Sequence, residues 1–323
     1  MTSFNVGIIG LGGMGQVMLA DMHIHKEFSV SVVWDPDIDV CTECQSHDPG
    51  LRIATDAGDL ITDETVSLVY VASPPNSHRD YFLAAIDKQI PMFCEKPFGV
   101  DIAESQDLVE RIKDAGLPHV INFNHGNALA STHIEQQLKS GAMGKVSGVD
   151  VFIHLNQWPR EFQKTATWLA GREQGGFTRE MLSHWLYLTR RLLGDGTITH
   201  AHVTYPADGV SSETRLIGEL DFGGVPLVIR AATGGVGPVG TEYTVWGEKI
   251  SYRLHSGGRI SSSTGGVWAE EFTNLEDIGA NDRQRTLDGV ARRLRGETIN
   301  MADAADGFAV QRLVEALLIS DRT

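Results

Sequence analysis

The sequence predicts an α/β protein with a doubly wound parallel sheet first and a second α/β domain after it, whose sheet is open and mostly antiparallel. Three observations carry this reading. Short apolar runs alternate with helical stretches up to about residue 123. The first run ends in a glycine-rich turn, Gly10-Leu11-Gly12-Gly13-Met14-Gly15. After about residue 145 the pattern changes to strands that alternate in and out, with Gly223-Gly224 and Gly247-Glu248 between consecutive ones. A chain of 323 residues suits two domains of about 150 residues each, placed at 1–122 and 123–323.

The elements follow in order. Residues 4–9 form an apolar strand, the glycines turn the chain, and a helix runs from about Gln16 to His25. Val30–Trp34 is the next strand and ends at Asp35. Leu68–Ala72, Pro91–Cys94 and Val120–Phe123 read as further strands, with helices at Ser77–Lys88 and Ala103–Ala115. Strands alternating with helices make a parallel sheet. In the second half, Val149, Val151, Ile153 and Leu155 alternate with Asp150, Phe152 and His154. Strands are expected at 201–205, 215–222, 227–232, 242–246 and 250–254. Helices at about 175–193, 281–295 and 303–320 are expected to cover the inner face of that sheet. The tract Ser256–Gly266 reads as a mobile loop.

Composition narrows the function. The net charge is −15, so nucleic acid and anionic membrane surfaces are not expected partners. No stretch reaches the roughly 18 apolar residues of a membrane span, and the N-terminus lacks the basic start of a signal peptide. Three cysteines, Cys41, Cys44 and Cys94, cannot pair completely, which fits a reducing cytoplasm. Glycine is plentiful, at 35 residues.

The glycine turn carries the first chemistry. In Gly10-x-Gly12-x-x-Gly15, the first glycine permits the tight turn and the second lets backbone approach a pyrophosphate. The third lets the helix pack on the strand. The phosphates then meet free N–H groups at a helix N-terminus, including those around Gly13 and Met14. Asp35, at the end of the next strand, is placed to accept from a ribose diol. An acid there, with no arginine between Asp35 and Cys41, favours NAD over NADP. Further along, Pro74-Pro75 can hold an extended turn beside the nicotinamide ribose. Glu95-Lys96-Pro97 follows a strand, at the sheet edge where ligands bind, and its ammonium can hold a substrate oxygen.

At these residues the sequence resembles the Gfo/Idh/MocA oxidoreductases, the family of glucose–fructose oxidoreductase and inositol dehydrogenase. Gly10–Gly15 matches the family's nucleotide turn. Ala72–His78 (ASPPNSH) matches its A-T-P-x-x-x-H signature with Ser73 in place of threonine, and Glu95-Lys96-Pro97 matches its EKP motif. Ser140–Val146 and the tail from Asp306 to Ser320 also fit. The resemblance implies a Rossmann domain followed by an open-sheet α/β domain. It implies NAD(P) chemistry on sugars, cyclitols and related alcohols, cofactor contacts from Ser73, His78, Glu95 and Lys96, and a Lys96 that also binds the reacting oxygen. It also implies a homodimer or homotetramer built through the open sheet face.

Many members carry three glycines, then a helix with Asp and His four residues apart. Here Gly175-Gly176-Phe177 precedes Glu180 and His184. An i,i+4 pair shares a helix face, so both are expected to point the same way. His184 is the acid/base candidate, because an imidazole exchanges protons near neutral pH. Glu180 orients it or holds a substrate hydroxyl. Three departures fall on the substrate side. Glu180 replaces the usual Asp, and Tyr187 stands where the family often has another Asp. Asn122-Phe123-Asn124-His125 lacks the family's arginine, and Asn124 and His125 are expected to replace its contacts. Trp168 and Arg172 occupy positions of family ligand contacts. No third ligand accompanies Glu180 and His184, so no metal is expected. Cys41-x-x-Cys44 reads as part of an ordinary helix, and His200-x-His202 as surface histidines.

The leading expectation is an NAD-dependent dehydrogenase acting on a secondary alcohol of a sugar, cyclitol or similar polyol. The alternative is an NAD-dependent glycosidase or epimerase that oxidises its substrate only transiently. A third reading is a non-catalytic NAD-sensing regulator, which would have no need of Lys96 and His184.

Overall fold

The computed structural model describes residues 4–272 and 278–320. The chain separates into two compact units, one ending at Phe123 but taking back Gln284–Phe308, the other beginning at Asn124 and including the residues from Ala309 onward.

The first unit holds β1 (Phe4–Ile9), β2 (Phe28–Trp34), β3 (Arg52–Ile53), β4 (Leu68–Val71), β5 (Met92–Glu95) and β6 (His119–Asn122). They form one sheet in the order β3-β2-β1-β4-β5-β6, every neighbouring pair parallel. This is the doubly wound order with its reversal between β1 and β4. The helices α1 (Gly13–Ile24), α2 (Ile38–His47), α3 (Ala57–Ile61), α4 (His78–Lys88) and α5 (Ile102–Ala115) connect the strands. Asp37, Asp56 and Asp101 cap α2, α3 and α5, each accepting a backbone N–H from the first turn. The central strands are buried on both faces: all four residues of β4 and of β5 are buried. They therefore read as continuous apolar runs without alternation.

The second unit holds β7 (Val146–Leu155), β8 (Thr197–Thr204), β9 (Arg215–Asp221), β10 (Pro226–Thr233), β11 (Gly240–Gly247), β12 (Ser251–His255), β13 (Ile260–Ser263) and β14 (Ala269–Glu270). Their order is β14-β13-β12-β11-β7-β10-β9-β8. All pairs are antiparallel except β7 with β10. Val149, Val151, Ile153 and Leu155 are buried while Asp150 and Phe152 are exposed, as the alternation predicts. The helices here are α6 (Leu129–Lys139), α7 (Ser183–Leu193) and most of α9 (Ala304–Ile319), whose Leu317 lies over Gly218 of β9.

Two expectations are corrected. The helix expected at 281–295 is α8 (Ile278–Leu294), and it does not cover the second sheet. Its Leu287, Val290 and Ala291 sit in the core of the first sheet with Val6, Met18, Met22 and Phe28. Its apolar stripe specifies burial but not which sheet provides it. The tract 256–266 is not simply a loop, because Ile260–Ser263 pairs with β12 as β13. A short serine-rich strand carries little apolar signal.

Candidate functional site

In the first unit the loops after β1, β2, β4 and β5 meet at one edge of the sheet. Gly10 has φ +93°, and a Cβ there would lie 2.8 Å from the Ala72 carbonyl carbon. A Cβ on Gly15 would lie 2.0 Å from Gly10 O. Both glycines are therefore required by the fold itself. Gly12 is different. Its φ of −65° suits any residue, and a Cβ there would meet nothing within 4 Å. The protein's own packing leaves Gly12 unexplained, and room for a ligand against the backbone explains it. Gly12, Gly13 and Met14 are exposed at the start of α1. The first amide to bond back into the helix is that of Gln16, to Gly12 O at 3.0 Å. The amides before it have no acceptor within the helix and suit a phosphate group.

Asp35 closes this turn. Its carboxylate accepts from Leu11 N–H at 2.7 Å and from Asp37 N–H at 2.9 Å. A carboxylate has about four lone-pair sites, so a ribose diol can still be accepted. The residues present thus fit a dinucleotide.

The loop after β4 is internally tied. Ser73 and Ser77 hydroxyls lie 2.7 Å apart, and Ser77 Oγ donates to Pro74 O at 2.8 Å. Pro74 is half-buried and Pro75 is buried. His78 is wholly buried, and both its ring nitrogens face backbone carbonyls, so the structure sets it behind these loops, away from the surface a cofactor would touch.

After β5, Glu95 and Lys96 are both buried, at 6% and 8% exposure. Glu95 Oε1 accepts from Tyr70 Oη at 2.7 Å and from Asn122 Nδ2 at 2.6 Å. Burial, reinforced by the Glu95 charge, pushes the Tyr70 hydroxyl well above its ordinary pKa, so it remains a donor. Glu95 is thereby fixed from β4 and β6, which steadies the backbone that presents Lys96.

In the second unit, Gly175, Gly176 and Phe177 lead into a π-helical turn over Thr178–Leu182, followed directly by α7. Gly176 has φ +101°, and a Cβ there would lie 2.3 Å from a Glu213 carboxylate oxygen. Glu213 accepts from Thr178 N–H at 2.7 Å, an acid at the head of a helical segment. Burial nonetheless pushes its carboxyl pKa up. Arg179 donates to both Glu315 oxygens, at 2.7 and 2.8 Å, and to the carbonyls of Arg172 and Gly175.

Glu180 lies in the π-helical turn and His184 in the first turn of α7. Glu180 Oε1 accepts from Gln163 Nε2 at 3.0 Å, and Arg160 Nη2 lies 3.7 Å away. His184 is buried, and its Nδ1 accepts from Asn124 N–H at 3.3 Å. In that geometry a neutral ring carries its proton on Nε2. His125 packs on Trp185 with ring centroids 4.3 Å apart, and its Nδ1 lies 3.0 Å from Ser131 Oγ. Burial, helped by the Arg191 charge, pushes its pKa down to about 3. His125 is thus a neutral hydrogen-bonding group, not a proton shuttle near pH 7.

The remaining positions are placed as follows. Tyr187 is 2% exposed, on the buried side of α7. Arg172 stacks on Tyr205, 4.0 Å from the ring centroid, and donates to Ser211 O and Pro206 O, so it braces the 205–211 loop. Trp168 is half-buried in a single turn over Thr167–Ala170. Sequence reasoning missed Arg160, Gln163, Glu213, Arg179 and Arg191. Arg191 holds the His125 and Gly126 carbonyls and pairs with Glu135. None of these lies in a motif, and their partners are up to 136 positions away. Cys41 and Cys44 are buried on α2, where burial raises their thiol pKa values, so neither offers a thiolate. Among the described residues, no cluster of three or more metal-ligating side chains occurs and no helix is long and apolar enough to cross a membrane.

The chain matches the oxidoreductase family with an NAD-binding Rossmann fold over residues 4–123, and that family's C-terminal alpha/beta domain over residues 135–323. It is 26% identical over 197 residues to the 2,7-anhydro-N-acetylneuraminate hydratase of Escherichia coli, a match covering 59% of this chain and 50% of that protein. It is 25% identical over 337 residues to inositol 2-dehydrogenase 2 of Mycolicibacterium vanbaalenii, covering 98% of this chain and 92% of the relative. For most of the curated relatives it matches, the chain spans about half their length. In fold it resembles levoglucosan dehydrogenase, solved with NADH and levoglucosan, with a TM-score of 0.85 at 17% identity, over 98% of this chain and 96% of the other. The chain belongs to the Gfo/Idh/MocA family of oxidoreductases, and its first unit is an NAD-binding Rossmann fold.

Proposed function

We propose that the protein is an NAD-dependent dehydrogenase that oxidises a secondary alcohol of a sugar, cyclitol or related polyol, or reduces the matching ketone. The observation that carries this is the buried Lys96. It follows β5 at the sheet edge that also presents the open Gly12–Met14 turn. NAD, when bound, supplies the hydride acceptor. Lys96 hydrogen-bonds the reacting oxygen and stabilises negative charge as it develops there. His184 exchanges the hydroxyl proton through Nε2. For it to take a proton there, Nδ1 must carry its own, so the 3.3 Å contact with the Asn124 amide has to give way. Glu180, held by Gln163 and Arg160, accepts from a neighbouring substrate hydroxyl. Asp35 disfavours a 2′-phosphate by like charge, which makes NAD the preferred form. The relatives named for inositol and levoglucosan support a neutral polyhydroxylated substrate. The test is a spectrophotometric screen of NAD reduction across sugars, inositols and anhydrosugars, repeated with NADP. Faster reduction of NADP would overturn the Asp35 assignment.

A second reading is supported by the hydratase relative: the substrate is oxidised and re-reduced within one turnover. Turnover of an anhydrosugar or glycoside without net NADH would support it. We also propose that two or four copies associate through the outward face of the second sheet, where Phe152, Ile217, Val228 and Trp246 are exposed. A monomer by light scattering would refute this.

A further inference from the structure

His78, the first residue of α4, is 0% exposed. Its Nε2 lies 2.9 Å from Ser73 O and its Nδ1 3.0 Å from Pro97 O. One carbonyl belongs to the loop after β4, immediately before Pro74-Pro75. The other belongs to the loop after β5, immediately after Lys96. Burial, reinforced by the Lys96 charge, pushes the ring below its ordinary pKa, so it is neutral. A neutral imidazole has a single N–H. It donates to one carbonyl while the other stays in contact with the second nitrogen. A buried polar ring without such partners would be costly. Its position therefore couples the two loops, and a substitution that keeps only its volume will let them drift.

From this geometry, and resting on the NAD reading above, we infer that His78 is a positioning residue. It sets the nicotinamide end of the cofactor site by spanning the loops that carry Pro74-Pro75 and Lys96. At the adenosine end, Asp35 accepts from Leu11 and Asp37 N–H, and His78 is not among its partners.

The test compares two probes on the full chain, NADH and ADP-ribose, which lacks the nicotinamide. Binding is measured by fluorescence and by calorimetry. His78→Phe keeps an aromatic ring and removes the hydrogen-bonding nitrogens. It is expected to weaken NADH about tenfold, the scale of one hydrogen bond, and ADP-ribose by less than about twofold. His78→Gln, whose amide nitrogen reaches about as far as Nε2, is expected to restore the hold on Ser73 O and much of the NADH affinity. Should His78→Phe fail to fold, the ratio of the two affinities in His78→Gln and His78→Ala decides. An equal loss for both probes would mean that His78 is merely a folding support and would overturn the inference, as would unchanged NADH binding. Wild-type protein that binds neither probe would instead remove the NAD reading itself.

Discussion

In the first unit, the six consecutive residues Gly10–Gly15 make the turn and open α1. The groups expected to meet the cofactor there are largely backbone amides. In the second unit, the segment bearing Glu180 and His184 takes its supports from elsewhere. Gln163 and Arg160 hold Glu180, Asn124 reaches His184, and Glu213 and Glu315 hold the start of the segment. A backbone turn constrains a few adjacent residues strongly, so it leaves a motif. A side-chain network constrains many scattered residues weakly. It can therefore change residue by residue, as a substrate site must when substrates differ.

The largest expected effect tests whether both regions serve one reaction. Lys96→Ala and His184→Ala are each expected to lower kcat/KM about a thousandfold, roughly 4 kcal/mol, while NADH affinity stays within a few-fold. Near-normal turnover in either variant would remove that residue from the chemistry. Next is the support of the second region. Replacing Arg191 by Met leaves the buried Glu135 carboxylate without its guanidinium and is expected to destabilise the chain by about 3 kcal/mol, read by denaturant unfolding. A loss under about 1 kcal/mol would show that Lys139 alone suffices for Glu135.

The glycine turn gives a sharper contrast within one motif. Gly12→Ala is expected to leave stability within about 0.5 kcal/mol yet weaken NADH at least about tenfold. Gly15→Ala is expected to destabilise the fold, since its Cβ would lie 2.0 Å from Gly10 O. Equal behaviour of the two variants would deny Gly12 a ligand role.

The last comparison concerns pH. Burial, helped by the Arg191 charge, pushes His125 down to about 3 from its ordinary 6.5. Between those values the unfolded chain binds a proton that the folded chain refuses. His125 therefore lowers stability as pH falls through that window, by up to about 1.4 kcal/mol per pH unit. His125→Phe should flatten that part of the stability profile measured by urea unfolding. An unchanged slope would assign the loss to other groups.

Much of the first unit was legible in the sequence. Its strands are continuous apolar runs and its turns carry glycine, proline or aspartate for local reasons. The edge strands β3 and β14, two residues each, were not legible, because so short a run has no period to read. The i,i+4 spacing of Glu180 and His184 was legible, but the π-turn over Thr178–Leu182 was not. That turn begins where Gly176 and the Thr178 amide meet Glu213, a residue far away in sequence.

By itself, the sequence determined the class of each sheet, the glycine turn with its acid, and Lys96 at a strand end. Each of these shows in residue type and spacing along the chain. Only the tertiary structure decided that α8 packs on the first sheet, that His125 is neutral, that Tyr187 is buried and that Arg172 braces the 205–211 loop. It also decided that His78 spans two loops. Burial, and the charge or carbonyl that a side chain meets, come from residues distant in the chain, and no local pattern encodes them.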